Sequence, residues 1–128
     1  MSAVENLNIP TIAAVNSPAY GAGFVLTLAC DLRIGSQSAS FGMPVGKLGI
    51  TLQPPFIKRM MSHLGPSRTK EMVYTAKQYD AETAFRIDLL NDLTTEEQLD
   101  ERAFAVARSI LEQSKASILA VKESVRVC

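Results

Sequence analysis

Two glycines one residue apart form the most informative chemical feature of the sequence. Gly21 and Gly23 separate a short apolar run from a longer one, where a strand would pass into a helix. The first N–H groups of a helix lack partners within the helix and carry a partial positive charge. Glycine allows a ligand to approach such groups closely. The pair therefore predicts either an anion or oxyanion site or only a tight turn, and the spacing alone favours the turn.

A dinucleotide-binding loop is a third interpretation of these glycines. That loop needs a further glycine where the sequence has Leu26, and an acidic residue about 20 positions later. NAD binding is therefore the least favoured of the three interpretations.

Other reactive residue types have structural explanations. His63, the only histidine, lies at the end of a predicted helix, where it would interact with the last carbonyl groups. Cys30 has apolar neighbours that would raise its thiol pKa, so we expect a core thiol rather than a nucleophile. Asp31 would anchor the turn after the helix. No zinc, thiol-redox, serine-hydrolase or phosphate-loop motif occurs, so no metal site is expected.

Short strands and one helix are predicted to position the glycine pair. Apolar runs bounded by turn residues predict strands over residues 11–15, 32–36 and 39–42. Residues 24–30 are apolar nearly all round, which is typical of a buried helix. Residues 43–55 show no period and are expected to form a long ordered loop.

Only helices are predicted after Pro55. Helical periodicity and capping residues recur there, and Gly65 and Pro66 interrupt the pattern. The predicted segments are 56–63, a helix capped by Ser67, one capped by Asp80, one opened by a capping box at Thr94 and Glu97, and 114–127. We therefore expect a single α/β domain over 1–128, with strands and a helix over 1–55 and helices over 56–128.

The composition excludes several classes of protein. The chain has 128 residues, and 13 Lys and Arg balance 13 Asp and Glu. A hydrophobic content of 47% argues against disorder, and the neutral charge argues against a nucleic-acid partner. The sequence shows no secretory signal and no membrane-spanning stretch. Two cysteines form no disulfide framework, so a reducing, cytoplasmic location is expected.

Eight blocks in order carry a resemblance to a known family. They are Pro10-Thr-Ile-Ala-Ala-Val-Asn16, Ala19-Tyr-Gly-Ala-Gly23, Leu28-Ala-Cys-Asp-Leu-Arg-Ile34, Ala39-Ser-Phe-Gly-Met-Pro44, Leu48-Gly-Ile50, Leu64-Gly-Pro-Ser67, Tyr79-Asp-Ala-Glu-Thr-Ala84 and Ala120-Val-Lys-Glu123. In this order the blocks resemble the crotonase superfamily, the enoyl-CoA hydratase/isomerase family. The resemblance implies a spiral core of short strands and a buried helix, followed by a helical part. It covers the middle of the family domain, without the N-terminal strands or C-terminal helices.

The resemblance also implies a mechanism and partners. Family members bind acyl-CoA thioesters, and two backbone N–H groups stabilise the enolate formed in the reaction. The second donor corresponds to the N–H of Ala22, so the oxyanion interpretation becomes the favoured one. Tyr20, Gly21 and Gly23 would line this site. Coenzyme A is part of the substrate, so no separate cofactor is expected, and the family implies a homo-oligomer, either trimer or hexamer.

Departures from the family pattern bear on the reaction. Val25 and Val45 occupy the positions of the two hydratase glutamates, and neither side chain can move a proton. Ordinary hydration or isomerisation is therefore not expected, whereas an enolate-stabilised reaction such as decarboxylation remains open. Thr51 and Gln53, with Tyr20, are candidate pocket residues that could substitute. The alternative is a non-catalytic binding or assembly module, and we expect this chain alone to be weakly active or inactive.

Overall fold

A computed structural model describes residues 2–46, 49 and 51–127, apart from the side chain of Ser2. Leu48 and Ile50 of the predicted block, and with them part of the predicted loop over 43–55, lie outside the described residues, as do Met1 and Cys128. The described residues form strands and helices whose bounds are, in chain order, α1 (Ser2–Glu5), β1 (Ile12–Val15), β2 (Pro18–Tyr20), α2 (Ala22–Ala29), β3 (Leu32–Ser36), β4 (Ser40–Gly42), α3 (Pro54–Thr75), β5 (Tyr79–Asp80), α4 (Ala81–Arg86), β6 (Asp92–Thr94), α5 (Leu99–Leu111) and α6 (Lys115–Val127).

Two small sheets share one connecting helix. The first sheet has the order β1–β3–β6 and is parallel throughout, with Ile12 beside Leu32 and Ile34 beside Asp92. The second has the order β2–β4–β5, in which β4 is parallel to β2 and antiparallel to β5. Parallel neighbours need a crossover connection, and α2 lies in the crossover from β1 to β3 and in that from β2 to β4. The N-terminus of α2 therefore follows directly from the carboxyl end of β2.

Helix α2 supplies the centre of the hydrophobic core. Its residues Phe24, Val25 and Leu28 are buried, and the Phe24 ring lies 5.7 Å from that of Phe41 in β4, at a tilt of 52°. Tilted aromatic pairs of this kind are favourable beyond the area that they bury. The other buried members of the cluster are Val15, Ala39, Met43, Met60, Leu64, Met72, Tyr79, Ala81, Ala84, Leu89 and Leu90. A helix that is apolar nearly all round thus lies where its composition predicts.

The prediction that only helices follow Pro55 is wrong. Strands β5 and β6 both come later, and β6 completes the first sheet through the pairing of Ile34 with Asp92. They contain two and three residues, too few for an alternating pattern to be recognisable. Thr94 ends β6 and is buried, and α5 begins only at Leu99 with Gln98 as its N-cap. The predicted capping box at Thr94 and Glu97 is therefore also wrong.

Helix capping agrees with the sequence at one place and differs at another. The Asp80 carboxylate accepts a hydrogen bond of 2.8 Å from the Thr83 N–H, which confirms Asp80 as the cap of α4. Helix α3 is kinked at Gly65, whose φ is 77° and ψ 173°. Helical conformation resumes at Pro66, a residue well suited to a first helical position. Ser67 therefore lies within the helix and does not cap it.

The last two helices keep their predicted bounds to within a few residues, but their apolar faces are only partly covered. Within α6, whose residues are all described, none is buried. Val121 and Val125 lie one turn apart and are 63% and 69% exposed. Phe104 and Leu111 of α5 are also exposed. The apolar spacing that predicted these helices therefore marks surfaces that the described chain leaves open.

Gly35 gives a direct test of this packing. A Cβ at Gly35 would lie 2.7 Å from Cδ1 of the buried Leu90 and 3.4 Å from Cβ of Ala39. We expect Gly35→Ala to lower the free energy of unfolding by about 1–3 kcal/mol, the usual range for overpacking. Gly23→Ala is the matched control, because nothing lies within 4 Å of the added Cβ. Urea unfolding in which Gly35→Ala matches the control would contradict the packing described here.

Candidate functional site

The N-terminus of α2 is uncapped, and its first turn is set by Gly21. Gly21 has φ 59° and ψ −126°, a conformation that side-chain-bearing residues rarely adopt. Its N–H donates to the Gly42 carbonyl oxygen at 3.0 Å, which ties the turn to β4. The first helical bond runs from the Val25 N–H to the Gly21 carbonyl at 3.1 Å, and no side chain caps the helix. The N–H groups of residues 22–24 are therefore left without a helical acceptor.

These N–H groups belong to an open surface. Ala22 and Gly23 are exposed. Apart from the adjoining backbone, no heavy atom of the described residues lies within 4 Å of a Cβ placed at Gly21 or Gly23. Unpaired helical N–H groups and the positive end of the helix dipole together favour an anionic group. The described geometry therefore has the donors and the space for an oxyanion, and the role assigned to the Ala22 N–H stays a prediction.

Aliphatic side chains occupy the positions where the family resemblance implies proton-transferring groups. Val25 is 1% exposed and lies in the core cluster. Val45 is half-buried and packs against that cluster, with its N–H donating to the Met43 carbonyl at 2.8 Å. Both valines are thus part of the apolar packing behind the first turn of α2, and neither offers a proton.

The place of the three predicted substitute residues at the site stays a prediction, and the structure gives their exposure and hydrogen bonds. The Tyr20 hydroxyl donates to Oε1 of Gln78 at 2.9 Å and lies 3.1 Å from Oγ of Ser40, so it links β2 to β4 and to the chain before β5. Thr51 is exposed. Gln53 is exposed as the N-cap of α3, and only its backbone carbonyl is used, by the N–H groups of residues 56 and 57. Sequence reasoning did not identify Gln78 as the partner of Tyr20, because no motif in the sequence marks it.

Arg33 holds the opposite end of α2, and sequence reasoning assigned it no role. The side chain is 6% exposed. Its Nη1 donates to the carbonyl oxygens of Cys30 at 2.9 Å and Thr27 at 3.2 Å, and its Nε donates to that of Leu89 at 2.9 Å. Burial lowers the pKa of the guanidinium, which still remains cationic. The feature of the sequence that could have indicated such a role is an arginine within an otherwise apolar strand pattern.

Asp31 anchors the turn after α2, as predicted. Its Oδ2 accepts hydrogen bonds from the Thr11 N–H at 2.8 Å and the Thr11 hydroxyl at 3.3 Å, and lies 3.0 Å from Nζ of Lys122. The neighbouring Cys30 is half-buried, and its thiol pKa is raised, chiefly by burial. A raised pKa disfavours the thiolate, in agreement with the prediction that Cys30 is no nucleophile.

The cavities lie away from the glycine pair. One, of about 560 Å³, adjoins the C-terminal end of α2 and is lined by residues that include Cys30, Lys58, His63 and Lys122. Another, of about 300 Å³, follows β1 and the start of β2 beside Leu26. Neither is lined by Ala22 or Gly23.

Two further findings hold for the described part of the chain. No helix there combines the length and apolar character that crossing a membrane requires. No group of three or more His, Cys, Asp or Glu side chains there could hold a metal ion.

Comparison with known proteins gives the same family throughout. The family model described as enoyl-CoA hydratase/isomerase matches residues 1–127. Carnitinyl-CoA dehydratase from Escherichia coli (strain K12) is 35% identical over 126 residues, which cover 98% of this chain and 48% of that protein. The chain therefore spans about half the length of the curated relatives it matches.

Solved structures extend the likeness to the fold. Subunit I of an enoyl-CoA hydratase from Geobacillus kaustophilus HTA426 superposes with a TM-score of 0.92 at 32% identity, covering 98% of this chain and 49% of that one. An enoyl-CoA hydratase from Thermobifida fusca YX, solved in complex with CoA, superposes with a TM-score of 0.87 at 32% identity, covering 94% and 47%. The predicted α/β fold class is thereby confirmed.

His63 should make stability depend on pH. Its Nδ1 lies 2.9 Å from the Arg59 carbonyl oxygen, and burial lowers its pKa below the ordinary 6.5. The unfolded chain then takes up a proton before the folded chain does, so stability is kept above about pH 6.5 and lost as the pH falls below it. His63→Asn retains an N–H donor but does not titrate. In urea unfolding at pH 8 and pH 5, the wild type should lose more stability than this variant, and equal losses would contradict the prediction.

Proposed function

Because the chain belongs to the enoyl-CoA hydratase/isomerase family, the crotonase superfamily, we propose that it binds acyl-CoA thioesters at the N-terminus of α2. The thioester carbonyl oxygen would accept a hydrogen bond from the Ala22 N–H. The single observation that carries this proposal is the uncapped first turn, which is set by Gly21 and in which residues Ala22 and Gly23 are exposed. The CoA complex of the Thermobifida relative supports the class of ligand.

The chemistry proposed for this site is stabilisation of an enolate. When a bond to the α-carbon breaks, its electron pair moves through the carbonyl group and places negative charge on the thioester oxygen. Donors that are already aimed at that oxygen lower the barrier without reorganising, and removal of one such donor typically costs about 10²–10³ in kcat. The positive end of α2 acts in the same sense.

The side chains behind the turn favour reactions that need no protein base. Val25 and Val45 cannot take a proton from the α-carbon or activate water. A decarboxylation would fit these constraints, because the electron pair of the broken C–C bond forms the enolate as CO2 leaves. A proton from solvent then converts the enolate into the product thioester. Hydration of an enoyl-CoA by a glutamate pair is outside this proposal.

Charge sets a limit on how CoA would be recruited. The phosphates of CoA are anionic, whereas the chain has 13 positive and 13 negative side chains. A neutral chain exerts no long-range attraction on an anion. Binding would therefore depend on short-range contacts at the helix N-terminus and on local groups for the phosphates.

A non-catalytic binding or assembly module is the second candidate function. It is favoured by the two valines and by the chain's span of about half the length of its relatives. Under this alternative the site would bind an acyl-CoA without turnover. Release of CO2 from malonyl-CoA or methylmalonyl-CoA, or any enzyme-dependent change of a short or long acyl-CoA, would exclude it.

The proposal includes a cytoplasmic location. The chain has only two cysteines, too few for a disulfide framework, and this supports a reducing compartment.

Ala22→Pro tests the proposed donor directly. Proline lacks an N–H but is accepted at the first position of a helix, so α2 should remain folded. In calorimetric titrations with acetyl-CoA we expect binding to weaken roughly tenfold, in keeping with about 1–1.5 kcal/mol for one hydrogen bond. Ala22→Ser keeps the N–H and serves as the matched control. Equal affinities of Ala22→Pro and wild type would exclude this donor, and no heat with the wild type up to millimolar ligand would exclude the proposal.

Self-association of the chain is a separate part of the proposal. We propose that α6 packs against a second copy through Val121 and Val125, since an apolar pair this exposed favours a partner. Because the net charge of the chain is zero, two copies do not repel each other through their net charge. The Geobacillus relative is described as a subunit.

Charge placed on α6 should separate the copies. The double variant Val121→Glu, Val125→Glu should be monomeric in light scattering, because association would then remove the two new carboxylates from water. Ala116→Glu with Ala120→Glu adds the same charge to other exposed positions of α6 and should leave the oligomer intact. If the wild-type chain is monomeric at about 100 µM, the contact is ruled out, because its dissociation constant would then be too high for a stable dimer.

A further inference from the structure

We infer that Arg33 is a positioning residue that holds α2 by its C-terminal end and thereby sets the direction of the N–H groups at its N-terminal end. The inference deepens the proposed function, on which its catalytic meaning rests. It is motivated by the contacts of the buried Arg33 cation with carbonyl oxygens at the C-terminal end of α2. The N-terminal end of the same helix is uncapped.

The contacts of Arg33 are directed at the last turn of α2. The Nη1 group donates to the carbonyl oxygens of Thr27 and Cys30 at the C-terminal end of the helix. The Thr27 oxygen also accepts a hydrogen bond of 3.3 Å from the N–H of Cys30, the C-cap residue, so Arg33 adds a second bond there. The Nε group donates to Leu89, in the segment between α4 and β6. One planar guanidinium therefore joins the end of α2 to a different part of the chain, in a fork geometry that the lysine ammonium cannot reproduce.

The base of this side chain is itself fixed. Arg33 lies in β3, the central strand of the first sheet. Its N–H donates to Oδ1 of Asn91 at 2.8 Å, and its carbonyl oxygen accepts from the Asn91 N–H at 2.8 Å. Groups supported by a central strand hold their geometry better than groups on loops. The guanidinium is thus a rigid support for the end of the helix.

The charge of Arg33 has no carboxylate partner at ion-pair distance among the described residues. A cation at the C-terminal end of a helix interacts favourably with the negative end of the helix dipole. Helix α2 has eight residues and is about 12 Å long. A rotation of so short a helix about its C-terminal end would turn the N–H vectors of Ala22 and Gly23 by the same angle.

The test compares the orientation of these N–H groups in four proteins. Residual dipolar couplings of the ¹⁵N-labelled chain are measured for wild type, Arg33→Lys, Arg33→Met and Arg59→Met, at a temperature where each is folded. Arg59 pairs with Glu5 away from the N-terminus of α2, so its variant controls for the loss of an arginine contact. We expect changed couplings at Ala22 and Gly23 in Arg33→Met, smaller changes in Arg33→Lys, and wild-type values there in Arg59→Met.

Acetyl-CoA titrations of the same samples separate the two claims. The dissociation constant should rise about tenfold in Arg33→Met, an effect of the size of one hydrogen bond, and less in Arg33→Lys. Unchanged couplings and affinity, with only a lower Tm, would overturn the inference and leave Arg33 a stabilising residue. If the wild type does not bind acetyl-CoA, the proposed function fails and the couplings alone decide the positioning claim. If Arg33→Met does not fold, the couplings of Arg33→Lys decide it.

Discussion

A side chain hydrogen-bonds to backbone carbonyl groups at the C-terminal end of α2, whereas no side chain caps the N–H groups at its N-terminal end. The candidate site depends on this difference. At the C-terminal end, the buried guanidinium of Arg33 donates hydrogen bonds to the carbonyl groups of Thr27 and Cys30. These bonds offset the free-energy cost of removing the guanidinium from water. At the N-terminal end, Gly21 provides the turn but has no side chain to cap the helix. A Ser or Asp there would occupy an N–H group that a ligand could use. The fold thus leaves its unpaired donors at one defined place.

The same helix combines this polar end with an apolar body. Phe24 and Val25 begin the buried face immediately after the exposed residues Ala22 and Gly23. A charge that develops at the helix end would therefore lie between exposed residues and the buried core that begins at Phe24. At the positions where the family resemblance implies proton-transferring residues, Val25 lies in that core and Val45 packs against it. The chemistry that we propose for this site is therefore stabilisation of charge, without proton transfer by these residues.

Local patterns predicted the elements around the site well. The apolar run 32–36, the apolar segment after Gly23 and the Asp80 cap each depend on neighbouring residues, and the structure confirms them. Long-range contacts could not be predicted in this way. Thr94 was placed in a capping box because its spacing to Glu97 fits one, yet pairing with Ser36 makes it part of β6. The hydrogen bonds of Tyr20 with Gln78 and of Arg33 with Leu89 likewise join residues that are 58 and 56 positions apart.

The most direct test of the central claim is a ¹H–¹⁵N spectrum of the labelled wild-type chain titrated with acetyl-CoA. If the N-terminus of α2 is the site, the amide resonances of Ala22, Gly23 and Phe24 should shift saturably, with the Ala22 proton moving downfield as it forms a hydrogen bond. Shifts that are confined to the cavity beside Lys58 and His63, or no saturable shift in α2, would contradict the account.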